Sequence, residues 1–271
     1  MNNPVKAPNL NPRQKEILNH VRKHGEVQVE PLAEIFNVSP QTIRRDLNHL
    51  RQLGLLQRVH GGAVVHDGVA NLGYEARRNL AAEEKVAIGE QAAALIPDDT
   101  SLFVNIGTTT EQVARHLINH VGLLVITNNI NVVNTLIASE SIQLMTAGGT
   151  VRREDGGIVG DSTVEFFQQF KVDFAVVGAS AIDEDGSVLD YDAQEVRVAR
   201  AIIDNARSVM LVADAMKFQR SAPIRIADIG RFDYFVTDRM PPEKFRVRCE
   251  ERGVELIVSP VAKMLKNAGM G

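Results

Sequence analysis

The sequence Gly107-Thr108-Thr109-Thr110 places a glycine and three hydroxyl side chains directly after a short apolar segment. Glycine lets the backbone approach a ligand closely, and the threonines open a predicted helix whose first N–H groups are free. Free N–H groups at the positive end of a helix bind anions, and a phosphate group suits them well. The four residues therefore predict a phosphate-binding site.

Similar polar or glycine residues follow four further apolar segments. They are Thr127-Asn128-Asn129, Ala147-Gly148-Gly149, Gly178 to Asp183, and Ala213-Asp214 with Lys217 three residues later. Because the carboxyl ends of parallel strands lie along one edge of a sheet, five such turns predict one assembled pocket. Four charged side chains are expected to bind the hydroxyl groups or the carbonyl end of a polyol or sugar phosphate: Asp183, Glu195, Asp214 and Lys217.

The predicted pocket lacks the usual nucleotide motifs. No Gly-Lys-Ser/Thr follows Gly107 and no G-x-G-x-x-G stands at a strand end, so a small phosphoester is expected rather than a nucleotide. Taken singly, the threonines and the Asn128-Asn129 pair are also typical of helix caps. Other charged residues are interpreted as solvated: Glu184, Asp185, Asp190, Asp192 and Arg197. Phe166, Phe167 and Phe170 are interpreted as core packing.

A second group of polar side chains lies on one predicted helix near the N-terminus. Ile43, Leu47, Leu50 and Leu53 repeat at the spacing of an apolar helix face. The opposite side near the helix start carries Gln41, Thr42, Arg44, Arg45 and Asn48. Arginine can bind guanine through two hydrogen bonds, glutamine or asparagine can bind adenine, and the threonine methyl group can contact thymine. The group predicts contacts with base edges, although two adjacent arginines alone are more typical of a solvated face.

Helix signals position that face. Asn11-Pro12 and Ser39-Pro40 each combine a capping side chain with proline at the first helical position, and Ser39 is also a candidate DNA contact. The predicted stops of these two helices are Gly25 and Gly54. A short helix is predicted between them around Leu32 to Phe36, where Val29 occupies the position at which a capping Ser or Thr is expected.

A β-hairpin is predicted after the second capped helix, from Leu55 to Val65, with its turn at Gly61-Gly62. Arg58 and His60 on this hairpin could contact phosphate or the minor groove. The elements together predict a winged helix-turn-helix.

From Glu83 onward, predicted strands and helices alternate. The strands are 102–106, 123–127, 142–147, 172–178, 208–213, 232–237 and 254–258. Alternation of this kind predicts an α/β fold with a mostly parallel sheet covered on both faces. The predicted organisation is a winged helix-turn-helix at 1–66, a linker at 67–80, a sensor domain at 81–258 and a tail at 259–271.

The charge distribution differs between these parts. The net charge of the whole chain is −4, which alone argues against a basic nucleic-acid binder. Residues 1–66 hold nine Lys or Arg and five Asp or Glu, whereas the remainder holds 21 and 29. A module of charge +4 is thus joined to one of charge −8, and the basic module is the expected DNA-binding part.

Several other classes of protein are excluded. The chain of 271 residues is 44% hydrophobic, a profile typical of globular proteins. Its single cysteine, Cys249, allows neither a disulfide framework nor a thiolate zinc cluster. No apolar leader opens the chain, and no apolar run approaches the length of a membrane span. We expect a cytoplasmic protein without a metal or other cofactor.

Both parts of the chain resemble one protein family. The segments Ser39 to Leu47 and Arg58 to Ala63 are similar to the DNA-binding head of DeoR-family bacterial repressors. The family's sensor domain is similar to the segments Glu83-Glu84-Lys85, Ile106 to Thr109, Thr127 to Asn129, Ala147 to Gly149, Gly178 to Asp183, and Asp214 with Lys217.

The resemblance implies a sensor fold similar to that of ribose-5-phosphate isomerase. It places a phosphate group at Gly107 to Thr109 and implies effector contacts from Lys85, Asp214 and Lys217. Thr110 departs from the family members that control glycerol 3-phosphate catabolism, in which a proline is expected at this position.

Further segments resemble those members in particular, namely 38–48, 127–136, 155–158, 183–187 and 195–203. The resemblance implies a transcriptional repressor that binds operator DNA and is released by a small phosphorylated effector, sn-glycerol 3-phosphate. Because one short helix reads only a few base pairs and symmetric dimers read two half-sites, we also expect self-association as a dimer or tetramer.

Three alternatives stay open. One is a DeoR-type regulator that answers to a sugar phosphate. Another is a sugar-phosphate isomerase with Asp183, Glu195 or Lys217 as acid–base groups, although an isomerase has no need of a helix-turn-helix. The third is a DNA-binding module with a vestigial oligomerisation domain, which predicts no phosphate binding at Thr108 and Thr109.

Overall fold

The computed structural model describes residues 10–24, 26–52, 56–59, 62–65 and 74–259. The chain divides into two compact units, Met1–Leu80 and Ala81–Gly271, and each has its own core. The described part of the predicted linker contains a short helix, Tyr74–Asn79. Only Ser259 of the predicted tail lies within the described residues.

The N-terminal unit contains the predicted helix-turn-helix and wing. Its elements in chain order are α1 (Pro12–His24), β1 (Glu26–Gln28), α2 (Val29–Ile35), α3 (Pro40–Gln52), β2 (Leu56–Val59), β3 (Gly62–Val65) and α4 (Tyr74–Asn79). The strands form an antiparallel sheet in the order β1-β3-β2. Strand β1 is absent from the sequence prediction because three residues carry no readable alternation, and its pairing with β3 defines it.

Capping side chains start α1 and α3 as predicted. The Oδ1 atom of Asn11 accepts a hydrogen bond from the Gln14 N–H at 2.8 Å, and Gln14 Oε1 accepts one from the Asn11 N–H at 3.2 Å. Ser39 Oγ accepts a hydrogen bond from the Thr42 N–H at 3.2 Å. Reciprocal or single side-chain caps of this kind satisfy N–H groups that a helix start leaves without partners.

Helix α2 starts without a side-chain cap. Its N-cap residue is Gln28, and Val29 is the first helical residue, so the predicted cap position was wrong by one residue. Val29, Leu32 and Ala33 are buried, and this packing holds the helix in place of a cap. Asn37, with φ of 50°, lies in the tight turn before α3.

The predicted apolar face of α3 packs into the core of the N-terminal unit. That core contains Ile17, Leu18, Val21, Leu32, Ala33, Ile43, Leu47, Leu50 and Leu56. Leu53, Gly25, Gly54 and Gly61, which the sequence assigns to the helix face, the helix stops and the turn of the wing, lie outside the described residues.

The C-terminal unit alternates helices and strands as predicted. Its helices are α5 (Ala82–Ala94), α6 (Thr108–Leu117), α7 (Ile130–Leu136), α8 (Asp161–Phe167), α9 (Ala193–Asp204) and α10 (Glu243–Arg252). Its strands are β4 (Ser101–Val104), β5 (Leu123–Thr127), β6 (Ile142–Thr146), β7 (Thr150–Val151), β8 (Ile158–Val159), β9 (Val172–Val177), β10 (Ala181–Ile182), β11 (Ser187–Asp190), β12 (Ala206–Val212), β13 (Ile224–Asp228), β14 (Tyr234–Thr237) and β15 (Glu255–Val258). Short 3₁₀ helices lie at Ala215–Gln219 and Ile229–Arg231.

The central sheet has the order β15-β14-β12-β9-β4-β5-β6, and all of its strand pairs are parallel. These are the seven predicted strands, so the predicted parallel sheet is confirmed. Alternate residues enter cores on opposite faces: Leu102 and Val104 pack on one side, and Phe103 packs on the other. The predicted aromatic packing is also confirmed, since Phe103 and Phe167 stack edge to face at 4.9 Å between ring centres.

Two smaller sheets were not predicted. One is antiparallel with the order β10-β11-β13, and the other is the hairpin of β7 and β8. Most of these strands have two to four residues, too few for a periodic pattern. The β7–β8 hairpin lies between β6 and α8, and the β10–β11 hairpin lies between β9 and α9. Both hairpins change the surroundings of predicted site residues.

Candidate DNA-binding face and effector site

The DNA-contacting residues predicted on α3 form one exposed face. Gln41, Arg45 and Asn48 are separated by four and three residues, so they lie on one side of the helix, opposite its buried apolar side. Ser39 and Arg44 are also exposed, and Thr42 is half-buried. An open groove of about 840 Å³ runs along this face, and Asn11, Arg13 and His49 also line it.

A buried carboxylate that the sequence did not single out joins α1 to α3. Asp46 Oδ2 lies 2.7 Å from Arg13 Nε, and Asp46 Oδ1 accepts a hydrogen bond from Gln14 Nε2 at 3.0 Å. Asp46 is buried, and its partners lie at the start of α1. The contacts fix the orientation of α3 relative to α1.

The predicted contacts from the wing stay predictions. Arg58 lies in β2, where its backbone is in register with Ala63 of β3. The side chain of Arg58 and the whole of His60 lie outside the described residues.

In the C-terminal unit, five neighbouring strands end at the predicted polar segments. In sheet order these strands are β12, β9, β4, β5 and β6. Val104 at the end of β4 is in register with Val176 of β9 on one side and Thr127 of β5 on the other. The segments that follow the strands therefore begin side by side along one edge of the sheet, where parallel α/β folds bind ligands.

The Gly107 turn has the geometry expected of an anion site. Gly107 has φ of 152°, which an L side chain rarely adopts, and it is the N-cap of α6. Thr108 and Thr109 follow in the first turn, whose N–H groups have no helical partners. Both threonines are buried, and their hydroxyl groups make no hydrogen bond to any described residue.

Thr110 differs from the other two threonines. Its hydroxyl donates to the carbonyl oxygens of Asn105 at 2.7 Å and Gly107 at 2.8 Å, and its side chain is fully buried. The prediction that Thr110 contacts the effector is therefore replaced by a structural role, because these carbonyl groups take its only proton. Its methyl group borders the Gly178 backbone, 3.7 Å from where a Cβ would lie.

The two asparagines after β5 also have different roles. Asn129 is the N-cap of α7, and its Oδ1 atom accepts a hydrogen bond from the Asn131 N–H at 2.9 Å. Asn128 does not cap the helix. It is fully buried, and its Nδ2 group donates to the Ile158 carbonyl oxygen at 3.0 Å.

Two buried amide oxygens lie at this edge of the sheet. The Oδ1 atoms of Asn128 and Asn105 accept no hydrogen bond from any described residue. Asn105, which the sequence prediction omitted, follows β4 directly and is 2% exposed. A polar residue at the end of an apolar strand is the sequence signal that could have identified it.

Gly148 and Gly149 have separate functions in the turn after β6. Gly149 has φ of 150°, and a Cβ there would overlap Thr163 Oγ1 and lie 2.8 Å from the Val159 carbonyl oxygen. Gly149 is thus required by the fold. At Gly148 a Cβ would meet nothing within 4 Å, so this glycine leaves the backbone open beside the strand ends.

The predicted charged residues after β12 are joined to the start of α5. Asp214 caps the 3₁₀ helix that contains Lys217, and both side chains are buried, as is Lys85 on α5. Asp238, after β14, accepts a hydrogen bond from the Ala215 N–H at 2.7 Å. Through Arg239, Asp238 is also tied to Glu84, the neighbour of Lys85, at N–O distances of 2.7 and 3.7 Å.

The same neighbours affect the pKa of Arg239. Its hydrogen bond and charge interaction with Asp238 raise the pKa of the guanidinium most, and the charges of Glu84 and Asp214 add to this effect. The first turn of α5 and the Asp214 loop therefore lie at one end of the sheet. Asp238 and Arg239 are members of this cluster that the sequence prediction omitted.

Glu195 is held by an arginine that the sequence prediction also omitted. Glu195 Oε2 lies 2.7 Å from Arg152 Nη2, and Arg152 also contacts the carboxylates of Asp155 and Asp192. The predicted role of Glu195 as an effector ligand is replaced by a structural one, because Glu195 forms an ion pair that joins α9 to the loop after β7. Local sequence does not indicate this contact, because the partners come from distant segments of the chain.

Asp183 is not brought to the other strand ends. It lies in the turn of the β10–β11 hairpin, where its N–H donates to the Ser187 carbonyl oxygen at 2.9 Å, and it is exposed. The chain enters the hairpin after Gly178, so the segment ends further from the sheet than its sequence position indicates. Asp183 is therefore left out of the effector site.

Two aspartates predicted to be solvated have structural roles. Asp190 is buried and accepts a hydrogen bond from the Tyr191 N–H at 2.6 Å. Asp192 caps α9 by accepting from the N–H groups of Gln194 and Glu195 at 2.7 and 3.2 Å. The solvated interpretation was wrong for the buried Asp190, whereas Asp192 is half-exposed and caps the helix as well. The interpretation holds for Glu184, Asp185 and Arg197, which are exposed.

Comparison with known proteins identifies the family. Residues 13–69 match the DeoR-like helix-turn-helix domain, and residues 80–239 match the DeoR C terminal sensor domain. The chain belongs to the DeoR family. In this DeoR-family chain, no helix within the described residues is long and apolar enough to cross a membrane.

Curated relatives in the DeoR family agree with this assignment. The chain is 46% identical over 230 residues to the glycerol-3-phosphate regulon repressor of Escherichia coli K12, covering 85% of this chain and 91% of the relative. It is 44% identical over 229 residues to the repressor of the same name from Haemophilus influenzae, covering 84% and 89%. The predicted DNA-binding transcriptional repressor is confirmed.

Among solved structures, the chain is similar over part of its length to ribose 5-phosphate isomerase A of Methanocaldococcus jannaschii. The match has a TM-score of 0.39 and 16% identity, and covers 51% of this chain and 55% of the isomerase. That similarity is too low to indicate an activity for the DeoR-family chain.

Proposed function

We propose that this repressor controls a glycerol or glycerol 3-phosphate catabolic regulon and leaves its operator when a small phosphorylated effector binds. The first candidate for the effector is sn-glycerol 3-phosphate. The observation that carries the proposal is the 46% identity to a glycerol-3-phosphate regulon repressor over most of both chains. A cytoplasmic location is part of the proposal, because operator DNA lies there.

In the proposed complex, α3 enters the major groove. Its polar face supplies the DNA contacts together with the wing: Ser39, Gln41, Thr42, Arg45, Asn48, Arg58 and His60. Arg44 of the same helix is paired with Glu30. The exposure of the described members and the open groove along α3 support this arrangement. Self-association as a dimer or tetramer would present two such helices to the half-sites of one operator.

In the sensor, the Gly107 turn binds the phosphate group. The hydroxyl groups of Thr108 and Thr109 make no hydrogen bond to any described residue. They and the N–H groups of the first turn of α6 support this, since all of them can donate hydrogen bonds to phosphate oxygens. The remaining contacts are assigned to residues at the same edge of the sheet: Lys85, Asn128, Gly148, Gly149, Asp214 and Lys217. The buried lysines would balance the charge of the phosphate, and the amide and carboxylate oxygens would accept hydrogen bonds from hydroxyl groups.

Effector binding lowers operator affinity only if the effector binds the DNA-bound and released states with different affinities. The proposal therefore requires two arrangements of the oligomer, of which the effector favours the one whose heads do not match the operator spacing.

A thermal-shift panel on the full chain tests the effector. The ligands are sn-glycerol 3-phosphate, ribose 5-phosphate, glucose 6-phosphate, inorganic phosphate and unphosphorylated glycerol. At about 100 times its dissociation constant, a ligand of the native state should add roughly 2.7 kcal/mol to the free energy of unfolding. Stabilisation by glycerol 3-phosphate and not by glycerol is expected.

Two matched variants test the phosphate site. Thr108→Val should leave stability nearly unchanged and abolish the shift, because it removes a hydroxyl that has no partner among the described residues. Thr110→Val should lower stability by about 1–2 kcal/mol, since the buried Asn105 carbonyl group loses this donor, and should keep part of the ligand-induced shift. An unchanged thermal shift in Thr108→Val would show that the phosphate group does not bind at this turn.

The same panel decides between the alternatives. A shift with a sugar phosphate but none with glycerol 3-phosphate would assign the chain to the DeoR-type regulators that answer to sugar phosphates. No shift with any phosphoester would favour a sensor that serves only oligomerisation.

An isomerase activity is tested by turnover of sugar phosphates with the purified chain. The ion pair between Glu195 and Arg152 counts against it, because a carboxylate held by a guanidinium is a weak general base.

A further inference from the structure

The two adjacent arginines of α3 lie in different surroundings. Arg45 lies at the centre of the exposed face, between Gln41 and Asn48 in helical spacing. Arg44 precedes it by one residue, which turns its side chain about 100° around the helix axis. On that side it meets α2.

A carboxylate on α2 forms an ion pair with Arg44. Arg44 Nη2 lies 3.1 Å from Glu30 Oε1, and the two side chains are 52% and 63% exposed. Both charges of the pair therefore lie at the surface, in contact with solvent. Arg45, in contrast, makes no ion pair with any described residue.

We propose that Glu30 holds Arg44 away from DNA phosphates and thereby limits non-specific binding, while Arg45 is the arginine that contacts a base. The inference rests on the proposed entry of α3 into the major groove. In that pose the centre of the exposed face meets base edges, and its flanks approach the two sugar-phosphate strands.

The carboxylate of Glu30 affects DNA binding in two ways. It takes a guanidinium N–H that a phosphate oxygen would otherwise accept, and its own charge repels the DNA backbone. Contacts with phosphate add affinity for every sequence equally. A repressor that keeps one arginine neutralised therefore binds random DNA less tightly and is released from it at lower salt.

The test compares five full-length variants with the wild type: Glu30→Gln, Glu34→Gln, Arg44→Ala, Arg45→Ala and the double variant Glu30→Gln/Arg44→Ala. Glu34 is the matched control, because it lies on α2, is exposed and makes no ion pair with any described residue. Binding is measured between 50 and 200 mM salt on a random-sequence duplex and on the duplex that the wild type enriches from a random library.

In Glu30→Gln, the freed Arg44 gains a phosphate contact. The slope of log affinity against log salt on random DNA should steepen by about 0.9. Over the fourfold salt range, this difference makes the loss of affinity about 3.5-fold larger than in the wild type. Arg44→Ala should cancel the change in the Glu30→Gln background and have little effect on its own. Glu34→Gln should behave like the wild type.

Arg45→Ala tests the second half of the proposal. It should relax the base preference at one operator position in a repeat of the library selection.

Equal slopes for Glu30→Gln and Glu34→Gln would overturn the proposal, as would a loss of one contact in Arg44→Ala alone. Failure of the underlying DNA pose has a different signature: Arg45→Ala would then leave both the affinity and the selected sequence unchanged. The variants change exposed side chains, and circular dichroism of each one establishes that the fold is retained.

Discussion

Arg152 is the centre of a cluster of acidic side chains in the sensor. Its guanidinium contacts the carboxylates of Asp155, Asp192 and Glu195. Burial opposes its charge, but the charges of Glu195 and Asp155 outweigh that effect and raise the pKa of Arg152. Three carboxylates face one cation, so each of them depends on further hydrogen-bond donors, and for Asp192 these are the first N–H groups of α9.

The surroundings of Asp192 predict a pH-dependent contribution to stability. Burial opposes its charge, yet the N–H groups of Glu195 and Gln194 and the hydrogen bond and charge of Arg152 together lower the pKa of Asp192 from its ordinary value. A lowered carboxyl pKa stabilises the folded state above the unfolded-state pKa, and this contribution disappears as the pH falls through the folded-state value. Asp192→Asn keeps an acceptor for the cap but loses the charge.

We expect Asp192→Asn to lower the free energy of unfolding by about 1 kcal/mol at pH 7, a value reduced by solvent screening of a side chain that is 38% exposed. The difference from the wild type should shrink below about pH 4. Urea unfolding between pH 7 and pH 3 measures it. Glu140→Gln, an exposed carboxylate without an ion pair in the described structure, is the control and should show no such trend. A constant difference at all pH values would contradict the charge effect.

Among the elements, α1 and α3 are joined by a polar contact as well as by the apolar core. Asp46 binds both Arg13 and Gln14, and Gln14 also completes the cap of α1. A single buried carboxylate thus connects the start of one helix to the middle of the other. The position of α3, on which the proposed DNA contacts depend, rests partly on this residue.

Replacing Asp46 by alanine should loosen α1 and α3 together. The loss of hydrogen bonds to a charged group costs about 1.5–3 kcal/mol in stability. We expect faster amide hydrogen exchange in peptides from both helices and weaker operator binding. Asn48→Ala, on the exposed face of the same helix, should leave exchange unchanged. If α1 of the Asp46→Ala protein exchanged its amide hydrogens at the wild-type rate, the apolar core alone would orient the two helices.

The elements also show how far the sequence predicts the structure. The seven strands of the central sheet are readable because each is an apolar run between turn signals, and their parallel order follows from the helices between them. Strands β1, β10 and β13 are defined by their pairing partners, so local sequence does not show them. The same distinction applies at the site. The Gly107 turn is local and is predictable, whereas the role of Glu195 depends on Arg152, which comes from a distant segment of the chain.

At the scale of the whole molecule, the charge is divided between two parts with different tasks. The first 66 residues carry +4 and the remainder carries −8. The basic part supplies the attraction to DNA, and the acidic part opposes non-specific adhesion to phosphate. The net charge of −4 therefore describes neither part, and a regulator of this type can have an acidic sequence without losing its DNA-binding surface.

Regulation by an effector links the two parts through one coupling free energy. If glycerol 3-phosphate weakens operator binding by some factor, the operator must weaken glycerol 3-phosphate binding by the same factor. Typical couplings of 1–3 kcal/mol correspond to about 5- to 150-fold. We expect a factor in this range from operator titrations with and without saturating effector, and an equal factor from effector titrations with and without operator. Thr108→Val should reduce both factors to about one, because the effector no longer binds. Unequal factors in the wild type would show that effector and operator do not act on one protein species, and a factor of one in both titrations would exclude glycerol 3-phosphate as the inducer.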